Sequence, residues 1–150
     1  MNPLTTSRQI PAPPEAIFAA FSSPERLARW WGPNGFSNTI HVFDFVPGGR
    51  WSLTMHAPNG AGYPNECRFS VIEPPARLVI EHISEPRFTL TLTLEATATG
   101  TLLHWEQRFI SDEAAQKLES LAAPANEQNL DRLTAEVLSS ASTSPATHAQ

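Results

Sequence analysis

Between Phe36 and Phe109 apolar residues recur at every second position, and this period of two limits the fold more than any other feature of the chain. Phe88–Leu94 is its cleanest stretch, with Phe88, Leu90, Leu92 and Leu94 against Thr89, Thr91 and Thr93. Arg50–Met55 sets Trp51, Leu53 and Met55 against Arg50, Ser52 and Thr54. Leu78–His82 and Thr101–Phe109 carry the same alternation, Cys67–Glu73 carries it weakly, and Ile40–Val46 is a further strand running into a turn. Such segments read as strands with one apolar and one wet face. Pro47-Gly48-Gly49, Pro58-Asn59-Gly60, Pro74-Pro75 and Gly100 supply turns between them. Strands joined in sequence by short turns predict an antiparallel meander, whose apolar face needs a cover.

A short strand, Thr5–Ile10, comes first, and prolines 11, 13 and 14 end it. Two short helices follow. The first spans Ala16–Phe21, with Ile17, Phe18 and Phe21 on one face. The second is Pro24–Pro33, PERLARWWGP, with Ser23 as its cap, Pro24 at its first position and Glu25 at its positive end. Leu27, Trp30 and Trp31 stand at i, i+3 and i+4, so this helix must bury two indoles. Gly32 permits a left-handed exit and Pro33 stops the helix.

The cover comes last. Asp112–Val137 is helical in composition, and Pro124 predicts a break within it. Asn126, Leu130, Leu133 and Val137 share a face, while Gln128, Asp131, Arg132 and Glu136 lie elsewhere. Residues 1–138 therefore read as one domain. Ser139–Gln150 has no large apolar residue and predicts a disordered tail.

A formal charge of −5 argues against a nucleic-acid partner, which needs a basic face, and against an anionic membrane surface. No apolar run reaches the roughly 20 residues of a membrane span. One cysteine, Cys67, rules out an intrachain disulfide and fits a reducing cytoplasm, and the N-terminus lacks a signal-peptide pattern. A cytoplasmic protein is the expectation.

Five words stand in order along the chain: Pro13–Phe21 (PPEAIFAAF), Pro24–Pro33, Asp44–Trp51 (DFVPGGRW), Pro74–Val79 (PPARLV) and Asn129–Leu133 (NLDRL). Together they resemble the START-like SRPBCC superfamily, and more narrowly its branch related to the C-terminal domain of the heat-shock protein 90 ATPase activator. The resemblance covers about residues 5–138. It implies an α+β helix-grip fold, a curved antiparallel sheet of six to seven strands wrapped round a long C-terminal helix. It also implies a cavity between sheet and helix. Its expected lining is Trp31, Phe36, Phe43, Trp51, Leu53, Met55, Phe69, His82, Leu92, Trp105, Asn126 and Leu130.

Other chemistry finds little support in the residues. The histidines, at 41, 56, 82, 104 and 148, lack zinc-type spacing, so no metal and no cofactor is expected. His104 shares phase with Glu106 and Arg108 and should face solvent. His82 shares phase with Leu78 and Ile80 and should point inward, as a satisfied core histidine before a general base. Asp44 is expected to cap or to pair with Arg50, and Gly48-Gly49 is a turn, not a phosphate loop. Glu66, Glu73 and Glu81 read as solvated strand residues. Asn126 either looks into the groove or caps a segment after Pro124.

Three functions follow in order. The first is a binding module for a small apolar or aromatic ligand, as monomer or homodimer. The second is a cyclase- or hydrolase-like enzyme in the same cavity, for which His82, Asn126 and Tyr63 are the only polar candidates and no catalytic residue is assigned. The third, from the branch name, is a chaperone co-factor. Eukaryotic activators carry an extra N-terminal domain, whereas four residues precede the first expected strand here.

Overall fold

The computed structural model describes residues 2–148, with side chains of the last helix described through Ser139. The chain runs β1 (Leu4–Ile10), α1 (Pro14–Ser22), α2 (Pro24–Trp30), β2 (Ser37–Phe43), β3 (Arg50–His56), β4 (Gly62–Glu73), β5 (Arg77–His82), β6 (Phe88–Thr97), β7 (Gly100–Phe109) and α3 (Asp112–His148). The strands form one antiparallel sheet in the order β1-β7-β6-β5-β4-β3-β2, so β1 and β2 are its edges. The fold is α+β helix-grip, with a seven-stranded sheet, two short helices after β1 and the long helix at the end.

Local signals in α2 act as the sequence dictates. Ser23 accepts the Arg26 N–H at its N-terminus, and Gly32 takes φ +96° beyond its C-terminus. The helix is one residue too short to hold Trp31, however. Trp31 is extended at φ −67°, ψ 136° while its N–H still bonds to the Leu27 carbonyl. Its ring reaches the core from the exit, not from the helical face.

Two strand boundaries also differ from expectation. β2 ends at Phe43 instead of Val46 because Asp44 bonds backbone to backbone with Arg50 and the chain then turns through 44–49. Gly49 is required there, since a Cβ would lie 1.9 Å from the Asp44 carbonyl oxygen. The Arg50 guanidinium goes to Glu66, at 2.9 Å, and not to Asp44. β4 begins at Gly62 instead of Cys67, because pairing with β3 continues out to His56↔Gly62.

α3 continues through Pro124 without the expected break. The proline removes one rung of the ladder, but both flanks are held. Ala115, Leu118 and Ala122 pack with Leu4, Phe88 and Phe109, while Leu130, Leu133 and Val137 are buried in the main core. Tertiary packing overrides the local signal. The helix is assigned through His148, past the start of the expected 139–150 tail, most of whose side chains lie outside the described residues.

The interior is divided. At one end of the sheet a ladder of rings fills it: Phe21–Trp30, Trp30–Trp31 and Trp31–Trp51 meet edge to face at 4.8–5.5 Å, and Trp51 stacks on Phe69 at 5.8 Å. Phe45 continues the ladder to Phe43 and Phe18. Such contacts add about 0.5–1.5 kcal/mol per pair beyond burial. The other end is not filled.

Candidate functional site

The unfilled end holds a cavity of about 340 Å³ between the sheet and the first half of α3. Leu53 and Met55 on β3, Asn65 and Cys67 on β4, and His82 on β5 form its floor, with Phe88, Leu90, Trp105, Gln107 and Phe109 from β6 and β7. Trp31, Gly32, Pro33 and Phe36 of the exit after α2 close one side. Leu118, Leu121, Ala122, Ala125, Asn126 and Asn129 of α3 form the roof. Leu121 is 71% exposed, so that roof is thin. A broader depression of about 630 Å³ beside Pro11–Pro14 is lined by prolines, small residues and a single titratable group, Glu15, and offers no converging chemistry.

Of the residues named from the sequence, Trp31, Phe36, Leu53, Met55, His82, Trp105 and Asn126 line the cavity. Phe43, Trp51, Phe69, Leu92 and Leu130 stand in the packed core outside its lining. Tyr63, offered as an inward polar group, is 50% exposed instead, at the start of β4. Asn126 does not cap a helix, since α3 is continuous there. Its Nδ2 donates to Gln107 Oε1 at 2.9 Å.

His82 points inward and is 8% exposed. Its Nδ1 meets the Pro86 carbonyl at 2.7 Å and its Nε2 meets Asn65 Oδ1. Its ring stacks on Phe88 at 4.5 Å. Burial pushes its pKa down, which favours the neutral ring. Cys67 stands directly opposite His82 across the β4–β5 pair. Burial, seconded by Glu66, pushes its thiol up to about 12. Both shifts leave neutral groups, the reverse of a reactive thiolate–imidazolium pair. His104 lies outside, exposed beside Glu95. Among the described residues no three His, Cys, Asp or Glu side chains gather to hold a metal, and no helix is long and apolar enough to cross a membrane.

Two residues missed in the sequence position the cavity wall. Arg132 Nη1 donates to the carbonyls of Trp31, Gly32 and Pro33 at 3.1, 2.9 and 2.9 Å. Its Nη2 donates to those of Arg29 and Phe36 at 2.8 and 2.9 Å. Asn129 Oδ1 accepts from the Gly32 N–H at 3.2 Å. The NLDRL word thus clasps the WWGP word. Beside it Glu136 accepts from Arg29 and Arg26, at 2.8 and 3.0 Å. Arg29 and then Arg26 outweigh burial and hold the Glu136 carboxyl below its usual range. Gln107 is a third such residue, and its strand phase, shared with Leu103, Trp105 and Phe109, is the signal that points it inward. Gln107 and Asn129 are each 7% exposed.

A family model described as activator of Hsp90 ATPase homolog 1-like protein matches residues 11–137. No curated protein matches the chain. Among solved structures, a Rhodobacter sphaeroides protein is similar at 27% identity and TM-score 0.81, covering 92% of this chain and 93% of that one. A Chromobacterium violaceum protein is similar at 26% identity and TM-score 0.80, over 90% and 96%. An AHSA1-like protein from Aeromonas hydrophila shares the fold at 23% identity and TM-score 0.74, over 93% and 94%.

Proposed function

The chain belongs to the family of proteins like activator of Hsp90 ATPase homolog 1, and from that premise we propose that it is a binding module for a small, mainly apolar molecule held between sheet and α3. The observation that carries this reading is the cavity of about 340 Å³, lined by rings and aliphatic side chains with a few carboxamides. Its volume lies at the small end of ligand sites, enough for two or three fused rings. A ligand of that size buries on the order of 200 Å² of apolar surface, about 5 kcal/mol before association is subtracted. About 5 kcal/mol corresponds to roughly 0.2 mM, so burial alone supports millimolar binding, a range suited to NMR titration.

The test is amide NMR titration with a panel of aromatic and lipid-like compounds. Shifts gathered on Met55, Phe88, Trp105 and the Leu118–Asn126 roof are expected. No shifts, or shifts spread over the outer face of the sheet, would overturn the reading. An enzyme in the same cavity has less support. Both ring nitrogens of His82 already face protein oxygens, those of Pro86 and Asn65, and Cys67 is held as a thiol.

A further inference from the structure

Resting on the binding reading above, we propose that the cavity selects an uncharged ligand with an acceptor oxygen, such as an aromatic ketone, read by the amide nitrogens of Gln107 and Asn129. In each carboxamide the oxygen is already committed. Gln107 Oε1 accepts from Asn126, and Asn129 Oδ1 accepts from the Gly32 backbone. The Gly32 backbone donor fixes which end of the Asn129 amide is nitrogen, and Gln107 and Asn126, both in the lining, present an uncommitted NH₂ between them whichever way their bond runs. The two NH₂ groups find no acceptor among the described residues, although both side chains are more than nine-tenths buried in the cavity lining. Among the described residues, the fully buried donor without a partner in this lining is Trp105 Nε1; the two NH₂ groups are not sealed off in that way, and a ligand oxygen in the cavity can receive their hydrogens.

The charge of the ligand follows from what is absent. Among the described residues no Arg, Lys, Asp or Glu side chain lines the cavity. A carboxylate or phosphate would leave water with no cation to meet it, and an ammonium with no anion. A carbonyl oxygen takes up donors without that penalty. The hydrocarbon part of the ligand then lies against Trp31, Trp105, Phe88 and Met55.

Three probes of nearly one shape separate the possibilities: fluorene, 9-fluorenone and fluorenone-4-carboxylate. Calorimetry or NMR titration of the full chain should show fluorenone bound about tenfold tighter than fluorene, the equivalent of one or two net hydrogen bonds. The carboxylate should bind more weakly than fluorenone. Gln107→Met, which keeps the length of the side chain and removes its donors, should narrow the ketone preference while fluorene affinity holds. Asn129→Ala serves as the second variant, with its folding checked by circular dichroism because Asn129 also holds Gly32. Equal binding of fluorene and fluorenone by the wild-type chain would overturn this proposal and leave the binding reading standing. Carboxylate binding as tight as that of the ketone would overturn the charge argument. Failure of all three probes to bind would overturn both.

Discussion

Replacing Arg132 with alanine should loosen the clasp between α3 and the α2 exit, and its size can be worked from the contacts. Nη1 carries two hydrogens for three carbonyls, and Nη2 carries two more for Arg29 and Phe36, so about four hydrogen bonds are lost in all. A hydrogen bond to a charged group contributes about 1.5–3 kcal/mol when well buried. Arg132 is only half-buried, and water can reach the released carbonyls. A value of about 0.5–1 kcal/mol each is therefore appropriate, giving about 2–4 kcal/mol in total. With a urea slope near 2 kcal/mol/M, the midpoint should fall by about 1–2 M. Lysine offers three donors at a point and no fork, so Arg132→Lys should recover less than half of the loss. Hydrogen exchange should show the change first in residues 31–36. A midpoint within about 0.3 M of wild type for Arg132→Ala, or full recovery by lysine, would refute the reasoning.

Three further outcomes are expected. Trp51→Ala removes a ring that is 0% exposed and stacked on Phe69, and should destabilise by about 3–5 kcal/mol in denaturant titration; an unchanged midpoint would count against the ring ladder. Because Glu136 has a lowered folded-state pKa, its contribution is complete above the unfolded value of about 4.3 and is lost as pH falls through the folded value. The stability gap between wild type and Glu136→Gln should therefore close between pH 5 and lower pH, and a gap constant down to pH 3 would defeat the assignment. Cys67, 2% exposed with its thiol pushed up to about 12, should react with Ellman's reagent at pH 8 on the order of 10³-fold slower when folded than in urea; equal rates would show the thiol to be open.

The sheet was legible because a layer wet on one side writes its period into the sequence, as Phe88–Leu94 does. β4 was read short because its first residues, Gly62–Glu66, carry no apolar alternation and are held by pairing with β3. Pro124 misled for a related reason: it states a local preference, while the contacts on either side of it are distant in the chain. Inward residues could be named from phase alone, but phase does not tell an interlocked ring from one facing a void. Trp51 and Trp105 look alike in sequence, and only the space between strand ends and α3 separates them. Arg132 and Asn129 stood in a recognised word, yet their partners lie about 100 residues away, where no spacing rule reaches.

The split between a filled end and a hollow end lets persistence and selectivity be changed separately. Substitutions such as Met55 to leucine or Leu118 to isoleucine reshape the space offered to a guest while leaving the tryptophan stack untouched. A scaffold arranged this way can exchange one guest for another over time without first becoming unstable.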